Sequence, residues 1–166
     1  MKHPHWRPAY VGVGSNLDDP LEQVRTGIAA AGAIGDTQLV LRSSLYQSAP
    51  LSGTDQPDYI NAVIALLTML TADELLQEIR AIEDAHGRDR RSGRWAARTL
   101  DLDLLALSDE VIDSETLSLP HPGIADRNFV LLPWREITPH FRIPGLGSVC
   151  DLAGRLDTEL RIERLA

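Results

Sequence analysis

Asp101 and Asp103 stand at alternate positions of the apolar run Thr99-Leu-Asp-Leu-Asp-Leu-Leu105. In a strand, alternate side chains share a face. The two carboxylates therefore point one way, while Leu100, Leu102 and Leu104 point into a core. Carboxylates about 7 Å apart at the backbone repel unless a cation stands between them. A pair of hard oxygen ligands suits Mg2+, which keeps several waters and shares the oxygens of a substrate phosphate. Directly before the pair lies a basic stretch, with Arg88, Arg90, Arg91, Arg94 and Arg98 against the single acid Asp89. Arginine holds phosphate oxygens bidentately and stays charged. Taken singly, each feature reads as a solvated polar surface. Adjacent, and with no phosphate-binding loop in the chain, they point to phosphoryl-type transfer from a nucleotide, in which a protein mainly positions reactants and neutralises charge. Gly93 and Trp95 within the basic stretch suggest a lid that closes over the site.

A second group lies further back. Tyr59 and Asn61 share a strand face directly after a loop of about ten residues, Ala49 to Asp58, a length often given to function. The Asn61 amide suits a flat heterocycle with an amide edge, on which an aromatic ring can stack. His121 is fixed between Pro120 and Pro122. Gly14-Ser15-Asn16 reads as a turn.

Composition narrows the field. Of 16 basic residues only Lys2 is a lysine, which excludes a Walker-A loop, a kinase ATP lysine and an internal Schiff base. The net charge is −8, and the segment 88–98 alone is +4, so the remainder is −12. A concentrated positive stretch on an acidic body marks a local anion site. Cys150 is the only cysteine, so no intrachain disulfide and no cysteine-based zinc cluster can form. The N-terminus lacks the apolar stretch of a signal peptide. The longest apolar run, Ile60 to Leu70, is far short of the roughly 20 residues of a membrane span. A cytoplasmic protein with no membrane partner is expected.

The elements follow from periodicity. Tyr10 to Gly14 is strand-like. Pro20 opens a helix marked by Leu21, Val24 and Ile28. Residues 38–48 read as one strand and Tyr59 to Thr68 as another. Thr71-Ala-Asp-Glu74 is a capping box for a second helix that Gly87 ends, and Thr99 to Leu107 is a strand. The order βαββαβ predicts an α+β protein, a ferredoxin-like sandwich of a four-stranded antiparallel sheet on two helices. Added C-terminal strands and helices are expected, including a helix from Asp126 to Glu136. The chain reads as a single domain over 1–166, with 1–8 a flexible leader.

Gly14-Ser15-Asn16-Leu17, Ser48-Ala-Pro-Leu51, Tyr59-Ile-Asn61, Gly87-Arg88, Arg94-Trp95-Ala-Ala-Arg98-Thr-Leu-Asp-Leu-Asp103 and Leu119-Pro-His-Pro122 to Arg127-Asn-Phe129 together resemble the 6-hydroxymethyl-7,8-dihydropterin pyrophosphokinases. The likeness runs from Tyr10 to about Pro139. It implies a ferredoxin-like fold and Mg2+-dependent transfer of pyrophosphate from ATP to the pterin hydroxymethyl group, releasing AMP, in folate biosynthesis. It implies two Mg2+ ions on Asp101 and Asp103. Tyr59 and Phe129 would sandwich the pterin, with Asn61 and groups near Ser48 and Leu51 reading its edge. Arg88 and Arg98 would act catalytically on the transferring phosphates. Trp95 would close over both substrates. Arg90, Arg98, Leu104, His121 and Arg127 would hold ATP. The partners implied are small molecules only, and a monomer is expected. Three departures stand out: Ala96-Ala97 where Gly-Pro is common, Thr116 where some members have Arg, and Trp134 for a frequent Leu. The alternative is a ferredoxin-like RNA-binding module, which would stack bases on strand aromatics. It would use the arginines and Trp95, but only Tyr10, Tyr46 and Tyr59 lie in the predicted strands and the net charge is −8.

Overall fold

A computed structural model describes residues 4–51, 55–87, 91, 97, 99–157 and 159–165. Strand β1 (Arg7–Ser15) lies antiparallel between β4 (Tyr59–Thr68) and β5 (Asp101–Leu107). On the outer side of β4, β2 (Thr37–Arg42) and β3 (Tyr46–Ser48) pair with successive stretches of that long strand. Helices α1 (Pro20–Gly32) and α2 (Ala72–Ala85) complete the ferredoxin-like order. Proline in its first turn starts α1. The reciprocal bonds of the capping box start α2: Glu74 N–H donates to Thr71 Oγ1, and Thr71 N–H donates to the Glu74 carboxylate.

The sheet has two covered faces. Ala9, Val11, Val13, Ala62, Ile64 and Leu66 join Leu100, Leu102 and Leu104 against α1 and α2, as alternation requires. Tyr10, Val63, Ala65 and Leu105 face the other way. They pack on α3 (Asn128–Ile137) and α4 (Val149–Gly154), around a cluster in which Tyr10 lies 4.9 Å from Trp134 and 4.5 Å from Phe141, centroid to centroid. Trp134 is fully buried there. Two short hairpins, β6 (Ile112–Asp113) with β7 (Ser118–Leu119) and β8 (Arg142–Ile143) with β9 (Gly147–Ser148), and the final strand β10 (Ile162–Arg164) complete the fold. No helix among the described residues is long and apolar enough to cross a membrane.

Three expectations change. The strand read over 38–48 is two strands. Its break at Ser43 is filled by that side chain, whose Oγ accepts the Val63 N–H at 3.0 Å, and a register shift lies between Leu39 and Leu41. Two residues expected in a flexible leader are in the sheet. Arg7 and Pro8 belong to β1, and the Arg7 guanidinium pairs with Glu110 and donates to the Leu70 carbonyl. The helix expected from Asp126 begins at Asn128, after a 3-10 turn over Ile124–Asp126.

Candidate active site

The site is built on the α3 side of the sheet at the end of β1. Strand register sets two cross-strand rows there. One runs Tyr46, Asn61, Gly14, Asp101, and the next Val63, Gly12, Asp103. In each row the β1 position is glycine, so no side chain separates β4 from the carboxylates of β5. A Cβ on Gly14 would lie 3.0 Å from Asn61 Oδ1. The space left open is a cavity of about 310 Å³. The turn signal at 14–16 thus contains a piece of floor: Gly14 and Ser15 are strand, and only Asn16 leaves it.

One wall is neutral. Asn61 is buried and donates through Nδ2 to Ser48 Oγ at 2.7 Å. Tyr59, Leu51, Gln56 and Phe129 complete that side. Asn16, also buried, donates to Gln56 Oε1 at 3.2 Å and to the Pro57 carbonyl at 3.1 Å, which ties the long loop to the end of β1. The C-terminal segment braces the loop from outside. Arg161 donates to both oxygens of Asp58, and Ala49 N–H to the Arg161 carbonyl. Hydrogen bonds from Gln47 and Arg161 hold the Asp58 carboxyl below its ordinary range. Behind the wall, Glu136 of α3 accepts Tyr46 Oη at 2.7 Å and both the amide and hydroxyl of Ser44. Burial and the bond to Glu136 push the Tyr46 hydroxyl up to about 12.

The other wall is charged. Asp101 and Asp103 are half-buried and open to the cavity. Arg127 Nη1 stands 3.6 Å from Asp103 Oδ2, and His121 Nε2 stands 3.9 Å from Asp103 Oδ1. The Gly123 N–H donates to His121 Nδ1 at 3.0 Å, so Nδ1 keeps its lone pair and the ring proton sits on Nε2. Arg127 also lies 5.9 Å from the Phe129 centroid, joining the two walls. No cluster of three or more His, Cys, Asp or Glu suited to a metal occurs among the described residues. Two carboxylates facing a cradle that glycines keep empty still fit a hard divalent cation, because such an ion takes the rest of its shell from water and substrate oxygens.

A second cavity, of about 380 Å³, shares Asp103, His121 and Pro122 with the first. It lies between α2, through Leu76, Arg80 and Glu83, and the β6–β7 hairpin. Its back is the outer edge of β5. There the Leu102 N–H donates to the buried Glu83 carboxylate at 2.9 Å. The Arg80 guanidinium spans to the Thr116 carbonyl at 3.4 Å.

The chain matches the family model described as 7,8-dihydro-6-hydroxymethylpterin-pyrophosphokinase over residues 10–139. The chain belongs to this family. Two similar relatives, both named 2-amino-4-hydroxy-6-hydroxymethyldihydropteridine pyrophosphokinase, come from Haemophilus influenzae and Pseudomonas aeruginosa. The first is 42% identical over 144 residues, covering 87% of this chain and 89% of its own. The second is 42% identical over 135 residues, covering 81% and 83%. Among solved structures, the Plasmodium falciparum HPPK-DHPS with pteroate superposes with a TM-score of 0.74 at 12% identity, over 93% of this chain and 43% of that one. At that identity the likeness is one of fold. The protein is a pyrophosphokinase, a diphosphotransferase.

Of the family residues carried onto this sequence, Ser48, Leu51, Tyr59, Asn61, Asp101, Asp103, His121, Arg127 and Phe129 line one cavity. They come from β3, the long loop, β4, β5, the Pro-His-Pro turn and α3. Leu104 differs: its side chain lies in the α1/α2 core, and the residue borders the second cavity at the edge of β5. Arg88, Arg90, Trp95 and Arg98, and with them the lid, lie outside the described residues. Sequence reasoning passed over Gly12, Gln56, Arg80 and Glu83. Glu83 left a signal, since it follows Ile79 by four on the apolar face of α2 and is an acid where a core residue is due. Gly12 and Gln56 left none, because their roles come from strand register and from a bond to Asn16.

Proposed function

We propose that this pyrophosphokinase transfers the terminal pyrophosphate of ATP to 6-hydroxymethyl-7,8-dihydropterin, with Mg2+, releasing AMP and the pterin diphosphate for folate synthesis, and that it acts as a cytoplasmic monomer. The observation that carries the reading is the single cavity with an amide and aromatic wall on β3–β4 and a paired-carboxylate wall on β5. Tyr59 and Phe129 hold the pterin ring between them. Asn61, fixed by Ser48, reads the ring's amide edge, with backbone groups near Ser48 and Leu51. This points the hydroxymethyl group across the bare glycines toward Asp101 and Asp103. Two bound Mg2+ ions on those carboxylates would supply charge neutralisation and orientation of the phosphate oxygens.

The nucleotide enters through the second cavity. Alternation from Leu102, whose N–H points outward, puts the Leu104 N–H and C=O on the same open edge of β5. That donor and acceptor complement the ring nitrogen and amino group of adenine, so Leu104 contributes its main chain. Arg80 offers a guanidinium at the cavity mouth. His121, with its proton on Nε2, and Arg127 meet the phosphates beside Asp103. Arg88, Arg90 and Arg98 supply further positive charge, and Trp95 covers both substrates. The hydroxymethyl oxygen then attacks the β-phosphorus. The new O–P bond forms as the bridge to the α-phosphate breaks, AMP leaves, and the hydroxyl proton passes to solvent.

Incubation with ATP, Mg2+ and the pterin, followed by product identification, tests the reaction. AMP and the pterin diphosphate are expected, whereas ADP and a monophosphate would replace this reading with a simple kinase. The RNA-binding reading needs an open sheet face. Here Tyr10 and Tyr46 are buried, and α3 and α4 cover that face.

A further inference from the structure

Two groups reach Asp103 from outside β5, one to each carboxylate oxygen, and both depend on Gly123. This residue precedes the 3-10 turn with φ −94° and ψ 6°, a backbone that any residue can adopt. Glycine is therefore not required there for conformation. It is required for space. A Cβ would lie 2.6 Å from Arg127 Nε, 2.7 Å from Cζ and 2.9 Å from Nη2. Three guanidinium atoms at nearly equal distance mean that the group lies across the place a side chain would fill. The turn closes through Arg127 N–H to the Ile124 carbonyl at 3.3 Å, which brings residue 127 back over residue 123. At the same residue, the main-chain N–H bonds His121 Nδ1 and leaves the Nε2 proton facing Asp103.

We propose that Gly123 is a positioning residue for nucleotide binding: its missing side chain seats the Arg127 guanidinium beside Asp103, and its amide fixes the His121 tautomer. This rests on the reading that Arg127 and His121 meet the phosphates of ATP. Gly123→Ala removes the seat and keeps the amide, so the two roles separate. The guanidinium must swing away, because all three atoms met, Nε, Cζ and Nη2, belong to a flexible side chain rather than to backbone.

The test is a double-mutant cycle of Gly123→Ala and Arg127→Ala, reading Mg2+ plus non-hydrolysable ATP analogue by calorimetry, pterin binding separately, and the melting temperature. Gly123→Ala should weaken analogue binding about tenfold, the scale of one charge-assisted hydrogen bond. Pterin binding should be unchanged, and the melting temperature unchanged or raised, since the alanine restricts the unfolded chain. In the Arg127→Ala background, adding Gly123→Ala should do nothing more. If Arg127→Ala itself leaves analogue binding intact, the phosphate-facing reading of Arg127 fails, and the seat fails with it. If Arg127→Ala weakens binding and Gly123→Ala does not, only the positioning proposal is overturned. An equal loss from Gly123→Ala in both backgrounds overturns it as well, because the effect would not pass through Arg127.

Discussion

The two faces of the sheet use the same strands in opposite ways. Toward α1 and α2, the inward positions in the middle of β1, β4 and β5 are Ala, Val, Ile and Leu, and they fill the interior. Toward α3, the same strands offer Tyr10, Gly12 and Gly14, then Asn61, then Asp101 and Asp103. This face is packed around Trp134 at one end and open at the other. A filled face cannot hold a ligand. An emptied one must be braced from outside, and that task falls to the Asn16–Gln56 bond, the Arg161–Asp58 pair and the Glu136–Tyr46 bond. The lesson is that the cavity arises from deleting side chains in the centre of the sheet, and its walls are held by bonds at the rim.

The sharpest break of this contrast is on the filled face. Ile64→Ala should cost about 2–5 kcal/mol of stability in denaturant unfolding, the range for a buried large-to-small change. The folded protein should keep its pterin affinity. A loss of affinity without a loss of stability would mean that the two faces are not independent. On the open face the reverse is expected. Asp101→Ala or Asp103→Ala should lower turnover by at least ~100-fold, as for loss of a preorganised electrostatic group. Stability should change little, because relief of the repulsion between the half-buried carboxylates is offset, at Asp103, by loss of its contacts with Arg127 and His121. Near-normal turnover in either variant at saturating Mg2+ would remove the metal assignment.

Smaller effects separate the two walls of the cavity. Asn61→Ala should weaken pterin binding by roughly 1–3 kcal/mol, through polar groups left unpaired. ATP binding should be nearly unaffected, and calorimetry with each ligand alone distinguishes the two. Equal weakening of both would make Asn61 a structural residue. The least effect is expected at the rim. Partial burial tends to raise the Glu136 carboxyl, but bonds from Tyr46 and Ser44 outweigh it and hold the group below its ordinary value of 4.5. A lowered folded-state pKa stabilises the protein above that ordinary value, and the contribution is lost as pH falls through the folded value. Glu136 is exposed at the surface, so the contribution is at most ~1 kcal/mol. Acid unfolding curves of wild type and Glu136→Gln should therefore converge at low pH and differ above about pH 4.5.

Much of the site was legible because it is local. The alternation of Asp101 and Asp103 with three leucines fixes which way each points, whatever surrounds the strand. The capping box at Thr71 and the proline at the start of α1 are equally local, and both stand where expected. The single strand read over 38–48 failed for a reason of the same kind, inverted. Its residues have strand character throughout, and only pairing with β4 reveals that Ser43 leaves the ladder. Nothing local marks Arg7 and Pro8 as strand, because the partners of Arg7, Glu110 and the Leu70 carbonyl, are remote in the chain.

By itself the sequence determined the βαββαβ order, the family and the chemical type of each wall, since these depend on periodicity and on motifs of neighbouring residues. Tertiary structure decided that Gly12 and Gly14 fall between Asn61 and the two carboxylates, that Leu104 borders the second cavity on an open strand edge, and that Arg127 rests on Gly123. Each of these depends on strand register or on the return of a turn. Register places residues dozens of positions apart within a few ångströms, and a shift of one residue in β4 or β5 would turn Asn61 or the two carboxylates to the other face.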